Sequence, residues 1–195
     1  MVEDAYKEEL YRRFDALQMA QECDERRVGR SIERFIGELD SPDAEDYYLW
    51  GFSIYLLNED DALVRSAEKF SQALNLCDSL GMARLYLAHC YHDMGNYAEA
   101  LTHYLQVDQQ WLAEDMPIWR VVKLNEQIGF CYAQLGQMEK AVAIFEVVLD
   151  SYVELDGCEL VPIQEAYDCL PRGHALIDRL KEAEAVHFAS ELEDD

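Results

Sequence analysis

HCYHDMGNYAEALTHY, residues 89–104, and FCYAQLGQMEKAVAIF, residues 130–145, are one pattern written twice. They bring Cys90, Tyr91, Gly95, Ala100 and Tyr104 into register with Cys131, Tyr132, Gly136, Ala141 and Phe145 at a constant offset of 41 residues. A fixed period of this size marks a repeat architecture, in which no unit buries its apolar face alone. Stacked repeats offer surfaces that grip other molecules more often than they build active sites.

Each shared position has a packing role. A small residue on the first helix of a unit (Gly51, Ala88, Gly129) lets the second helix approach, and Ala100 and Ala141 do the reciprocal job. Gly95 and Gly136 stand where the first helix must end on a left-handed residue. Large residues (Leu87, Tyr91, Tyr104; Ile128, Tyr132, Phe145) fill the space between neighbouring units. Cys90 and Cys131 read as a recurring small buried side chain rather than a bridge.

Working outward, Tyr6, Leu10, Phe14, Leu17 and Met19 recur at helical spacing between Asp4 and about Cys23. A second helix carries Val28, Ile32, Phe35, Ile36 and Leu39, giving an N-terminal hairpin over residues 1–40. Ser41-Pro42 reads as an N-cap and first-turn proline opening the next helix. A repeat domain then runs over 41–195, with units at about 45–78, 82–116 and 117–156 and a degenerate one at 161–192. The first has helices around Asp46–Leu57 and Ala62–Leu76. In the last, Tyr167, Leu170, Ile177, Leu180 and Ala183 keep matching offsets while Pro171 and Gly173 interrupt the first helix. The closing ELEDD reads as frayed.

Half of the 195 residues are apolar, and only 4 Pro and 9 Gly are present. That composition suits long helices and excludes disorder for most of the chain. The net charge is −24, with 7 Lys/Arg against 11 Asp/Glu in residues 1–40 and 9 against 29 in residues 41–195. Such a body repels nucleic acid and anionic membranes, and it draws basic proteins when it does more than keep the chain dissolved. The six cysteines form no CxxC, no apolar h-region opens the chain and no apolar run reaches membrane-spanning length. A reduced, cytoplasmic protein is expected.

At the repeat positions the chain resembles the tetratricopeptide repeat (TPR) family, with its small residue in helix A, Gly at the turn, and Ala then Tyr/Phe on helix B. The pattern is carried by Leu87-Ala88-Tyr91-Gly95-Tyr97-Ala100-Tyr104 and by Ile128-Gly129-Tyr132-Gly136-Ala141-Phe145. It is partial in 46–78 and faint in 164–192. The resemblance implies an all-α fold, an α-α superhelix of the TPR-like solenoid kind with an added N-terminal hairpin. The period of 41 departs from the usual ~34, and the surplus around Trp111–Trp119 implies longer helices or a larger loop between repeats.

In that family helix A lines the inner face and partner peptides lie there. Carried over by position, the groove is Tyr48, Phe52 and Tyr55, then Tyr86, His89 and His92, then Gln127, Phe130 and Gln134. This face is aromatic and nearly uncharged. A carboxylate clamp of Lys, Arg and Asn is not there, Lys123 being its one basic candidate, so apolar anchors of a partner suit it better than an acidic C-terminus. The amphipathic N-terminal helix can instead fold back into the groove or pair with a second copy as a homodimer.

Catalytic signatures are missing. There is no G-x-S-x-G, no Gly-rich phosphate loop and no H-E-x-x-H. His89, His92 and His103 lack the spacing that would mark a metal site, and Asp60-Asp61 and Glu114-Asp115 belong to turns and helix starts. No cofactor and no metal are expected. The expected function is a non-enzymatic scaffold holding a segment of a partner protein. The alternative is a small acidic escort, either a secretion-type chaperone or an immunity protein that neutralises a basic toxin.

Overall fold

Residues 41–46 show how local chemistry starts a helix. The Asp43 carboxylate accepts the Asp46 N–H at 2.8 Å, and the Asp46 carboxylate accepts the Asp43 N–H at 2.9 Å. This reciprocal box satisfies donors that a helix start leaves orphaned. The cap is therefore Asp43, and Ser41-Pro42 lies outside the helix that the sequence reading had it open.

The computed structural model describes residues 2–19, 22–57, 59–154 and 167–181. Every regular element among them is helical. In chain order these are α1 (Val2–Gln18), α2 (Glu22–Gly37), α3 (Ala44–Tyr55), α4 (Ala62–Leu76), α5 (Gly81–Asp93), α6 (Tyr97–Tyr104), α7 (Gln109–Asp115), α8 (Trp119–Gln134) and α9 (Met138–Glu154). A further helical stretch covers 175–181. Residues 155–166, which include the start of the degenerate repeat, and residues 182–195, with Ala183 and the ELEDD tail, lie outside the described residues.

The chain divides into two compact units, residues 1–96 and 97–195. In the first, α1 and α2 form the N-terminal hairpin, α2 packs on α3, and α3, α4 and α5 pack in succession. Arg13 ties the hairpin together by donating to the Ser31 hydroxyl at 2.7 Å while its guanidinium lies 4.2 Å from the centre of the Phe35 ring. Lys7 fastens α1 to the start of α3, with Nζ 2.8 Å from both Asp46 Oδ1 and Asp43 Oδ2. Leu10, Leu17, Ile32, Ile36 and Leu49 make the core beneath.

In the second unit α6 and α7 pack on α8, and α8 pairs with α9. Its core joins Ala141, Phe145 and Leu149 to Tyr167, Leu170, Leu176 and Leu180 of the degenerate repeat. The surplus of the longer period is α7 itself, an added short helix opened by Asp108, whose carboxylate caps the N–H groups of Gln110 and Trp111. Glu114 and Asp115 consequently close a helix instead of starting one. Asp61 does stand at the N-cap of α4, but its carboxylate caps no backbone N–H and accepts from Arg65 at 3.3 Å.

The duplicated residues do in space what the pattern asks. A Cβ added to Gly51 would lie 2.8 Å from the Phe70 ring, and one added to Gly129 would lie 2.5 Å from Phe145. Neither contact leaves room for a side chain. Gly95 and Gly136 close α5 and α8 with φ of 76° and 73°, a conformation costly for residues with a Cβ. Cys90 and Cys131 are fully buried.

Candidate functional site

In the first unit the helical period sets Tyr48, Phe52 and Tyr55 along one side of α3. Tyr86, His89 and His92 sit similarly on α5. The two sets meet. Tyr86 is the hub, with its ring centre 4.7 Å from Phe52 in an edge-on contact, 5.7 Å from Tyr55 and 5.6 Å from His89. Tyr48 lies 6.3 Å from Phe52 and 6.4 Å from Tyr86. From below, Phe70 of α4 stacks on Tyr86 at 5.9 Å and meets Tyr48 at 6.1 Å. Offset and edge-on arrangements of this kind add to the gain from burial. The six predicted residues of this unit are half-buried, each with part of its side chain still in water.

One end of this face is covered by the chain itself. Phe14 of α1 lies 5.3 Å from Phe52, and Tyr48 packs into both the hairpin core and the α4–α5 core. The fold-back of the N-terminal helix thus reaches Tyr48 and Phe52, while Tyr55 and His89 lie at the other end.

That other end is charged. The Tyr55 hydroxyl donates to Asp93 Oδ2 at 2.8 Å, and His92 Nδ1 lies 3.2 Å from Asp93 Oδ1. Burial pushes the Asp93 carboxyl up, but the bonds from His92 and Tyr55 outweigh it and hold it below the ordinary value. Burial, and then the Asp93 charge, raise Tyr55 far above an ordinary phenol. The nearly uncharged face expected from sequence therefore ends in a carboxylate. Asp93 was missed because one more acid in a chain with 40 carries no signal.

In the second unit Gln127, Phe130 and Gln134 lie on α8. Phe130 is half-buried and meets Tyr97 edge-on at 5.6 Å. Gln127 is half-buried, its Oε1 shielded from water and without a hydrogen bond among the described residues, and Gln134 is exposed. Next to them Lys123 is engaged inside the protein. Its Nζ donates to Glu126 Oε2 at 3.1 Å and to the Tyr152 hydroxyl at 2.8 Å. The Glu126 side chain is 0 % exposed and also accepts from the Tyr167 hydroxyl at 3.2 Å. Burial first, and then the Glu126 charge, push both tyrosines well above their ordinary values. The one basic candidate for a clamp is thus the counter-charge of a buried carboxylate. Unpaired burial of that carboxylate would be prohibitive.

Burial pushes the Cys90 and Cys131 thiols up to about 12, with Asp93 adding to Cys90. Among the described residues no three His, Cys, Asp or Glu side chains gather as a metal would need. Among them, too, no helix is long and apolar enough to cross a membrane.

Two segments of the chain, 84–109 and 127–154, match tetratricopeptide repeat models. These two segments carry TPR repeats, and the fold is an all-α helical repeat. Crystal structures of MamA share that fold. One aligns with a TM-score of 0.52 at 21% identity, covering 71% of this chain and 70% of the other. A second gives 0.53 at 21% identity, covering 77% of this chain and 86% of the other. A search of curated protein sequences gives no match. Repeats of this kind serve as scaffolds for protein–protein interaction.

Proposed function

We propose that this TPR protein is a non-enzymatic scaffold that holds a segment of a partner protein on the helix A faces of its repeats. The reading rests on the half-buried ring cluster of Tyr48, Phe52, Tyr55, Tyr86 and His89 in the first unit. Rings pinned by one another lose little further freedom when a partner covers them, and Tyr is enriched among residues that dominate binding. Asp93 offers an acceptor at the edge of this cluster for a donor on the partner. In the second unit Phe130 supplies an apolar contact. A cytosolic location goes with this reading, since none of the four described cysteines is joined in a disulfide.

Because Phe14 and the hairpin lean on Tyr48 and Phe52, the residues that test the proposal are Tyr55, His89 and Gln134. A photo-crosslinking amino acid at His89 should trap a partner in the native cell. The same residue at Val64, which is 63% exposed on α4, should trap little. Capture at Val64 with none at His89 sinks the groove reading. It favours the acidic outer surface and a basic partner, whose association slows steeply as salt rises.

A further inference from the structure

On the scaffold reading above, we propose that the wet end of the first unit's ring cluster takes a cation, an arginine or lysine side chain of the partner segment, held at Asp93 beside the rings of Tyr55 and Tyr86. Tyr55 comes from α3, while Tyr86, His89 and Asp93 come from α5, and the two helices are in contact. The Tyr55 ring centre lies 5.7 Å from that of Tyr86, and its hydroxyl donates to Asp93 Oδ2 at 2.8 Å. A cation bonded to Asp93 therefore comes to rest next to the Tyr55 ring. All three side chains stay partly in water, Asp93 with 40% of its side chain exposed.

Charge and ring chemistry select the same ligand. A carboxylate offers about four acceptor sites. Among the described residues the Tyr55 hydroxyl takes one on Oδ2, and His92 Nδ1 faces Oδ1 at 3.2 Å. Acceptor capacity is left on both oxygens for the fork of a guanidinium or an N–H of an ammonium. Burial raises the Asp93 carboxyl, but the bonds from His92 and Tyr55 hold it below its ordinary value, so it is ionised at neutral pH. Among the described residues no lysine or arginine pairs with it. The faces of tyrosine rings attract a cation that comes within about 6 Å of their centres.

The surroundings of Asp93 shape the rest of the segment. Tyr86, His89 and Asp93 follow one another a turn apart along α5, and Phe14 covers the opposite end of the cluster at Phe52. An apolar residue of the partner seated on Tyr86 and His89 is then one to two helical turns from a cation at Asp93, about 5–10 Å. Alternate residues of an extended segment span about 7 Å, and residues three or four apart on a helix about 5–6 Å. An acidic segment or a nucleic acid brings like charge to Asp93. A second copy of the chain carries another −24 and is repelled as a whole. The same net charge gathers basic segments from solution, and the carboxylate and rings together decide which of them stay.

The test selects random short peptides, displayed on phage, against the full chain. Arginine or lysine close to an apolar or aromatic residue should be enriched. The best such peptide, fluorescein-labelled, is then compared by anisotropy with a copy whose cation is replaced by its neutral isostere, citrulline for arginine or acetyllysine for lysine. Asp93→Asn keeps an acceptor for Tyr55 and should weaken the cationic peptide about five- to tenfold, leaving the neutral copy almost unchanged. Equal loss for both peptides, or loss for neither, overturns the proposal, as does a selection that returns acidic sequences, uncharged sequences or none. A wild-type dimer in sedimentation that Asp93→Asn dissociates also overturns it, by making a second copy the occupant. Binding that His89→Ala weakens and Asp93→Asn does not removes the cation subsite and keeps the scaffold reading. Binding indifferent to both removes the two together.

Discussion

α3 and α8 belong to different units, yet each uses a glycine to let a buried phenylalanine of the next helix close on it. Gly51 faces Phe70 and Gly129 faces Phe145, both rings fully buried. Away from that contact the units part company. In α5 a buried Leu85 and the neighbouring Met82 occupy the positions that lie 41 residues before Glu126 and Lys123 of α8. At these positions one unit places hydrocarbon, the other an ion pair wrapped in two tyrosine hydroxyls. The repeat code dictates where backbones approach and leaves the filling of the space between helices of a unit free.

The comparison is most severely tested at its shared element. Phe70→Ala and Phe145→Ala should each cost about 3–5 kcal/mol, read by urea unfolding. A large loss at one and almost none at the other would break the claim of equivalent roles. Next is the element they do not share. Lys123→Met strands the Glu126 carboxylate and should cost about 3 kcal/mol, with much of it regained in Lys123→Met/Glu126→Gln. If the double variant is no more stable than the single one, the pair is not the coupling that the geometry shows.

Smaller effects sharpen the picture. Gly51→Ala and Gly129→Ala should each lose about 1–2 kcal/mol, because overpacking against a buried ring outweighs the gain in helix propensity. A stabilised Gly129→Ala would mean that Phe145 can move aside. Tyr55→Phe removes one hydrogen bond and should cost roughly 1 kcal/mol. It should also let the Asp93 carboxyl titrate closer to its ordinary value, visible by NMR. The sign follows from linkage. A depressed carboxyl contributes stability above its unfolded pKa and loses it as pH falls through the folded one, so the variant should have a weaker acid-side dependence from this group.

Much of the fold was legible because its determinants are small and local. Gly95 and Gly136 announce helix ends by type alone, and Ala62–Leu76 was readable to the residue as α4. The opening of α3 was misread since Ser41-Pro42 and Asp43 both make respectable caps, and the carboxylate of Asp46 decides between them. The groove positions followed from register, and those of the first unit do form one cluster. What register could not give was who covers them, because Phe14 and Phe52 are 38 residues apart and belong to no common pattern. Lys123 is the one basic candidate for a clamp by sequence, and its distances to Glu126 and Tyr152 turn it inward.

By itself, then, the sequence determined a helical repeat, its period, its small-residue contacts and its acidic surface. Each of these depends on residue type at fixed spacing along one or two helices. The tertiary structure alone decided which charges are neutralised inside, which ring faces stay wet and which carboxylate ends the ring cluster. Those outcomes depend on side chains brought together from distant positions, where packing and the cost of burying charge choose among arrangements that spacing leaves equal.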